Sequence, residues 1–561
     1  MSLLYGIIYS FGHGFEFAFF IFLFCIITSF LPNRIKPIFW ITPALFLLIY
    51  FVIDFFVYKQ FHYNINFSML QLFLSPASKE IFNFPAIMYF QFICIIFILI
   101  SLLIAGYILS IKYMNKKKNK ILYIICSLFV LSTISYHSIH AYAHHKNNLS
   151  IMQVAYILPQ SYPLILKEFL QSHGIESANE QVTSFNIKKM NYPHTFPVYN
   201  DNKSRYNIIF IVIESWRFDC MNNNITPNIN KFAETNIIFK NHNSNSNQTR
   251  HGLFSLFYGL PGSYWDAALF SGTTPVLMDI FQKESYQLGI FASSALTSPE
   301  FNRTIFAKIP NLRLKTNAST SNLRDEKITE EFNAFLDNTS NDRPFFGFLF
   351  YDSPHSYSFN EEIYPAKFKP YSKNKNYINI DDKEMLFNLY KNTLGYTDML
   401  IGKVLDNLKR KNLLENTVII ITGDHAEEFD DLNKNYYGHL GNYSKYQTQV
   451  PFIIHIPNKE HKVYEYETSH VDIAPTIIKN VFNSNTDINE YSTGYDLFDN
   501  TSRPFIFIKG EEYAIKYNNK YIIMKKYGLP EVRDMQYNLI NEKLDGTVIN
   551  QMLQQLTYFR Q

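Results

Sequence analysis

The chain has 561 residues, 47% hydrophobic and 17% aromatic, with a formal net charge of +3. The apolar content excludes disorder as the main state, and the near-balanced charge excludes a nucleic-acid binder driven by a basic surface. Cys25, Cys94 and Cys126 lie in apolar runs and leave Cys220 alone in the polar part, which excludes an intramolecular disulfide framework.

In chain order, the first elements are apolar runs at 15–31, 38–58, 86–111 and 121–141. Each is close to the ~20 residues that cross a ~30 Å hydrocarbon core, so residues 1–145 are expected to form a transmembrane domain of about four helices. A cleaved signal peptide fits poorly, because no basic stretch precedes the first run and more runs follow it. Arg34 and Lys36 follow the first run, and Lys112, Lys116, Lys117, Lys118 and Lys120 follow the third, whereas the loop at 59–85 holds only Lys59 and Lys79. The lysine-rich loops are expected on the cytoplasmic side, with the N-terminus and everything after Ala141 on the other. Glu16 and Asp54 fall within or at the ends of these runs and read as structural carboxylates near an interface.

Residues 146–202 form a polar connector with an amphipathic stretch at 151–175, broken by Pro159 and Pro163. From Tyr206 the pattern changes. Apolar runs at 207–213, 288–292, 345–351, 417–422 and 451–456 read as buried strands, with helical patterns at 226–235, 275–285, 383–411 and 471–482. This alternation predicts an α/β domain over 203–500, a mostly parallel sheet covered on both faces, with ligands bound beyond the carboxyl ends of the strands. Residues 501–561 read as a small antiparallel meander turning at Asn518-Asn519, closed by a helix near 547–558.

Three strand ends carry the candidate chemistry. They are Glu214-Ser-Trp-Arg-Phe-Asp219, Asp352-Ser-Pro-His355 and Thr422-Gly-Asp-His-Ala-Glu-Glu428. If the strands are neighbours, Glu214, Asp424 and His425 converge into a divalent-metal site, with zinc or manganese the best candidates by ligand type. Thr249 stands where a polar segment turns helical; taken alone it reads as an ordinary cap. Beside a cation its hydroxyl becomes a nucleophile, with the helix N-terminus favouring an incoming anion. His251 reads as structural or solvated, and Asp219 and Arg250 as groups that support the ligands.

At these residues the chain resembles the alkaline phosphatase/sulfatase superfamily. The resemblance rests on Glu214-Ser-Trp-Arg-Phe-Asp219, Thr226-Pro-Asn-Ile-Asn-Lys-Phe-Ala233, the Thr249 segment, Gly423-Asp-His425 and Gly438-His439. It implies one divalent metal held by Glu214, Thr249, Asp424 and His425, with Thr249 as nucleophile. It also implies that His355 and His439 hold the substrate phosphate or protonate a leaving group. The pattern is similar to phosphoethanolamine transferases and lipoteichoic acid synthases. Over almost its whole length the chain is more similar still to the inner-membrane YejM/PbgA branch, through Met152-Gln-Val-Ala-Tyr-Ile-Leu-Pro-Gln-Ser-Tyr-Pro163, Phe254-Ser-Leu-Phe-Tyr-Gly259, Tyr286-Gln-Leu-Gly289 and Thr297-Ser-Pro299. That branch implies a periplasmic domain, binding of lipopolysaccharide or cardiolipin, and a regulatory membrane-protein partner. It usually has five spans, one more than read here, and its best-known members lack the Asp-His pair that Asp424 and His425 supply. Two functions follow as expectations: a metal-dependent hydrolase or phosphotransferase acting on envelope lipids, or a non-catalytic lipid sensor controlling lipopolysaccharide synthesis. A strict sulfatase is disfavoured, because Thr249 cannot form the family's aldehyde and His251 stands where its motif has proline.

Overall fold

The computed structural model describes residues 2–61, 65, 86–114, 119–145, 151, 154, 158–164, 166, 190–199, 206–340, 342–373, 382–500, 503–525, 530–542, 544 and 546–560. Lys79, Lys116, Lys117, Lys118 and most of the expected connector, including much of its amphipathic stretch, lie outside the described residues. The chain divides into two compact units, an N-terminal one and one that holds the described residues from Met190 onward apart from Lys525.

The first unit contains α1 (Ser2–Ile27), α2 (Lys36–Phe61), α3 (Ala86–Met114) and α4 (Asn119–His145). Among the described residues, the helices long and apolar enough to cross a membrane are Leu4–Phe30, Lys36–Tyr58 and Tyr89–Lys112. Their outward side chains, such as Phe20, Phe46, Phe55, Phe97 and Leu102, are large and apolar, as lipid-facing surfaces require. α4 is helical where expected, but its histidines and hydroxyls make it less apolar. α1 begins well before residue 15, because Glu16 is an interior helix residue and not a boundary. Its carboxylate accepts from Tyr136 Oη and lies 2.8 Å from His137 Nε2, both on α4. Asp54 Oδ1 accepts the Ile65 N–H at 2.6 Å.

The second unit is built on β1 (Asn207–Ile213), β2 (Ile237–Asn243), β3 (Gln287–Ala292), β4 (Phe345–Tyr351), β5 (Thr417–Gly423), β6 (Phe452–His455) and β7 (Lys462–Ser469). They form one seven-stranded sheet in the order β3-β4-β1-β5-β6-β2-β7. β3, β4, β1 and β5 run parallel, β6 is antiparallel to both its neighbours, and β2 and β7 are parallel.

Successive residues of β1 enter opposite cores, as the two-residue strand period requires. Ile208, Phe210 and Val212 pack with α6 (Thr249–Tyr258) and α7 (Val276–Lys283). Ile209, Ile211 and Ile213 pack with α5 (Pro227–Ala233), α8 (Ser321–Asn338) and α9 (Lys383–Arg410).

The five apolar runs became strands. β2 and β7 were not foreseen, because Ile-Ile-Phe-Lys-Asn-His-Asn and Lys-Val-Tyr-Glu-Tyr-Glu-Thr-Ser are not continuous apolar runs. β7 is an edge strand, where outward charges are favoured. The helix expected over 471–482 changes pitch, with an α turn at Ile473–Thr476 followed by a π turn at Ile477–Val481.

A five-stranded antiparallel sheet follows: β8 (Ile506–Lys509), β9 (Tyr513–Tyr517), β10 (Lys520–Met524), β11 (Glu531–Arg533) and β12 (Leu539–Ile540). Asn518 and Asn519 both have positive φ, 46° and 57°, the geometry of a type I′ hairpin turn. The final helix, α10 (Gly546–Thr557), is tied to the main core at its end. Tyr264 Oη donates to Gln555 O at 2.6 Å, and Phe559 is buried in that core.

Candidate metal centre

Strand register builds the site. Ile213 pairs with Tyr351 on one side and with Gly423 on the other, so the residues that follow, Glu214, Asp352 and Asp424, leave three neighbouring strands at one level. Glu214 N–H donates to Tyr351 O at 2.9 Å, which carries the alignment one residue past the strand. Ser215 then takes φ of 62°, a left-handed conformation unusual outside glycine. Its N–H donates to Asp424 Oδ1 at 2.9 Å, while its carbonyl accepts from Tyr390 Oη at 2.6 Å.

Thr249 is the first helical residue of α6, after an extended Gln248. Its hydroxyl donates to Glu214 Oε1 at 3.0 Å and lies 3.3 Å from His425 Nε2. His425 Nδ1 is 3.0 Å from Ala426 O. A carbonyl only accepts, so Nδ1 carries the proton and Nε2 presents a lone pair to the site. Asp424 Oδ1 accepts two backbone N–H groups, from Ser215 and, at 2.8 Å, from His425. Its Oδ2 is buried with no hydrogen-bond partner and lies 3.5 Å from His425 Nε2. α6 approaches so closely that a Cβ on Gly252 would meet Asp424 O at 2.3 Å, which requires glycine there.

The two histidines join from other loops. His355 Nδ1 is 3.8 Å from Glu214 Oε1 and 3.6 Å from Asp352 Oδ1. His439 follows a two-residue ribbon in which Glu428 pairs with Gly438. Its Nδ1 is 2.8 Å from Glu427 Oε2, whose other oxygen accepts from Tyr357 Oη at 2.6 Å. The His439 ring centroid is 4.5 Å from that of His425 and 5.5 Å from that of His355.

The electrostatics separate two kinds of carboxylate. Burial, then the charges of Asp352 and Asp424, push the Glu214 carboxyl well above its usual range. Burial pushes Asp424 up to about 7, against the pull of its two amide hydrogen bonds. For Glu427 burial acts in the same direction, but His439 and Tyr357 outweigh it and hold the group down at about 2. Asp352 is likewise held low against its burial by His355 and by Arg324, which donates to it at 2.9 Å. Burial, then His439, keeps His425 well below the normal imidazole range, hence neutral.

Glu214, Asp424 and His425 present ligand atoms within 4.8 Å of one another, as do Glu214 with Asp352 and His355, and His425 with Glu427 and His439. The first set fits a divalent cation. Two buried carboxylates and a neutral imidazole lone pair meet there, one carboxylate oxygen is orphaned, and no lysine or arginine pairs with Glu214 or Asp424 among the described residues.

All six expected site residues, Glu214, Thr249, His355, Asp424, His425 and His439, therefore gather in one cluster. Asp219 and Arg250 do not join it. Asp219 binds Arg217 at 2.7 Å, and Arg250 lies over Trp265 and 3.6 Å from Glu300. His251 is buried against the turn at Gly262. Glu427, Tyr357 and Arg324 were not foreseen. Glu427 lay in the quoted run two residues past His425, but its use depends on the ribbon that returns His439.

Comparison with known proteins agrees with this architecture. The Sulfatase family model matches residues 206–481, and a domain of unknown function, DUF3413, matches residues 1–196. The inner membrane protein YejM of Salmonella typhimurium is 25% identical over 457 residues, 80% of this chain and 71% of that protein. An uncharacterized Haemophilus influenzae protein is 27% identical over 408 residues, 71% of this chain; the match spans 61% of that protein's own length. The lipoteichoic acid synthase of Staphylococcus aureus is 24% identical over 392 residues, 62% of this chain and 58% of that protein. Residues 206–481 thus match the Sulfatase family, and the chain is similar to YejM over most of its length. The Sulfatase match and the candidate metal cluster support metal-dependent hydrolase or transferase chemistry at the level of the superfamily. Among the described residues three helices are long and apolar enough to cross a membrane, and the Salmonella typhimurium relative is named an inner membrane protein.

Proposed function

We propose that this protein transfers or hydrolyses phosphoryl groups on phosphate-bearing envelope lipids, with Thr249 as the nucleophile and one zinc or manganese ion held by Glu214, Thr249, Asp424 and His425. The observation that carries the reading is a buried, anion-rich donor set that no lysine or arginine among the described residues pairs with at Glu214 or Asp424, directly facing a helix-start hydroxyl. Bound there, a divalent cation supplies Lewis acidity to the Thr249 hydroxyl and to the substrate phosphate.

The side chains divide the remaining work. Glu214 Oε1 already accepts from Thr249 Oγ1 and takes its proton as attack begins. The Thr249 oxygen bonds to phosphorus as the ester P–O bond to the leaving group breaks. His439, oriented by Glu427, and His355, beside Asp352, hold the phosphoryl oxygens and donate a proton to the departing alkoxide. Water or an acceptor hydroxyl then attacks phosphorus and gives its proton to the histidine that lost one, the P–O bond to Thr249 breaks, and the Thr249 oxygen regains its proton from Glu214. A membrane anchor suits a lipid substrate, and the Staphylococcus aureus relative is named for making lipoteichoic acid, an envelope polymer.

The test uses the full chain in detergent, loaded with zinc or manganese, with bis(p-nitrophenyl) phosphate as probe. The reading expects release of nitrophenolate that Thr249→Ala abolishes. Metal uptake without any turnover, on this probe or on phospholipid vesicles, overturns it.

A second reading is favoured by the YejM homology over 80% of the chain. Here the same pocket binds the headgroup of lipopolysaccharide or cardiolipin without turnover and reports through a regulatory membrane-protein partner. It expects Thr249→Ala and Asp424→Asn to rescue a deletion strain as fully as wild type; loss of rescue at normal expression contradicts it.

A further inference from the structure

We infer that His470, oriented by His242, is a positioning residue that fixes the backbone at Asp424; the inference rests on the metal-site reading above. Neither histidine belongs to the donor set, and both are fully buried. His470 Nε2 lies 2.9 Å from Gly423 O, and its Nδ1 lies 2.9 Å from His242 Nε2. His242 Nδ1 lies 2.9 Å from Thr468 Oγ1.

With both rings neutral, only one proton arrangement satisfies this chain. Gly423 O can only accept, so His470 Nε2 carries a hydrogen. His470 Nδ1, in a neutral ring, must then accept from His242 Nε2–H, and His242 Nδ1 accepts from the Thr468 hydroxyl. Two neutral imidazoles thus stand in a position that apolar side chains would fill at lower desolvation cost, with the Phe452 ring already stacked on His242 at 4.3 Å between centroids. What the imidazoles provide and an apolar pair would not is a directed N–H aimed at the carbonyl one residue before Asp424.

The next carbonyl along is fixed from the same strand end. Ser244 Oγ donates to Asp424 O at 2.6 Å. The carbonyls on both sides of the Asp424 Cα are therefore held, and Oδ1 is held by two amides. The carboxylate is left with its orphaned Oδ2 aimed along one direction. His242 and Ser244 sit at the end of β2, in the segment that runs on to Thr249, so one strand end both holds a ligand and delivers the nucleophile. Groups that orient ligands in this way typically affect metal affinity by about 10–100-fold when removed.

The experiment measures zinc affinity of the full-length protein in detergent by chelator competition, with the visible spectrum of the cobalt-loaded form and thermal stability alongside. His470→Ala is expected to weaken zinc binding by about 10–100-fold and to alter the cobalt spectrum. Ser244→Ala, a smaller perturbation that keeps the test alive if His470→Ala does not fold, weakens binding in the same direction. His470→Gln restores wild-type affinity, because its carboxamide can donate to Gly423 O and accept from His242. Unchanged zinc affinity and cobalt spectrum in both alanine variants, whatever their stability, overturn the inference. Wild-type protein that takes up neither metal overturns the site reading instead, a distinguishable result.

Discussion

Two buried charge clusters stand within a few residues of each other after β1, and they are solved differently. Arg217, almost wholly buried, donates in bidentate fashion to Asp219 and Asp431 and lies over the rings of Phe387, Phe429 and Tyr446. Its charge is answered within the chain. Glu214 and Asp424 are as deeply buried, yet no guanidinium or ammonium pairs with them among the described residues, and one oxygen has no partner. Because a buried unpaired charge is costly, the second cluster is stable as a pair of carboxylates only with a cation from outside. The contrast separates a structural ion pair from a binding site without reference to any relative.

The contrast can be broken from either side. The largest expected effect is on chemistry. Thr249→Ala should lower turnover by at least about 10³-fold while zinc uptake persists at reduced affinity, since Glu214, Asp424 and His425 stay in place as ligands; initial rates on bis(p-nitrophenyl) phosphate measure it. Next, Arg217→Met should destabilise the fold by about 2–4 kcal/mol, somewhat less than the ~3–5 kcal/mol for breaking a fully buried pair, because Asp219 is 39% exposed. Denaturant midpoints measure that loss, and zinc stoichiometry of the folded fraction should not change.

Asp424→Asn should show the opposite pattern. Zinc affinity falls by about 100-fold or more as a ligand is lost, while the metal-free protein is no less stable. Gly252→Ala should cost about 1–3 kcal/mol by overpacking α6 against Asp424 O, read as a fall in the thermal midpoint.

The smallest effect is in pH. Asp424 titrates near 7 in the folded, metal-free protein, above its unfolded value of about 3.9. The folded state therefore holds more protons between these values, and this group's contribution to stability falls as pH rises through that window. A bound cation favours the deprotonated form, so the midpoint difference between zinc-loaded and chelator-treated protein should widen as pH rises from 5 through 7, with the raised Glu214 carboxyl acting in the same direction. Asp325 and Glu428, also raised to about 7 by burial, act in both states and cancel in the difference.

Much of this was legible in the sequence because buried parallel strands write themselves as continuous apolar runs, and polar residues that interrupt such runs mark their ends. That is why Glu214, Asp352 and Asp424 could be placed at strand ends before their register was known. Register was not legible. Nothing in the Ile213, Tyr351 or Gly423 neighbourhoods says that the three are level. β2 and β7 escaped because half-polar strands near an edge lack the apolar run. The support around the site escaped for a related reason. The hold of Glu427 on His439, and of His470 on Gly423, joins residues 12 and 47 apart in sequence, and no local pattern encodes such a contact.

The central claim is that the Glu214, Asp424 and His425 cluster is completed by a metal ion. Elemental analysis of the detergent-purified full chain, equilibrated with zinc and freed of excess by gel filtration, tests it most directly. The account predicts stoichiometric zinc in wild type and in Arg217→Met, and its loss in Asp424→Asn. Wild-type protein that emerges without zinc, or an Asp424→Asn variant that retains it fully, would contradict the account.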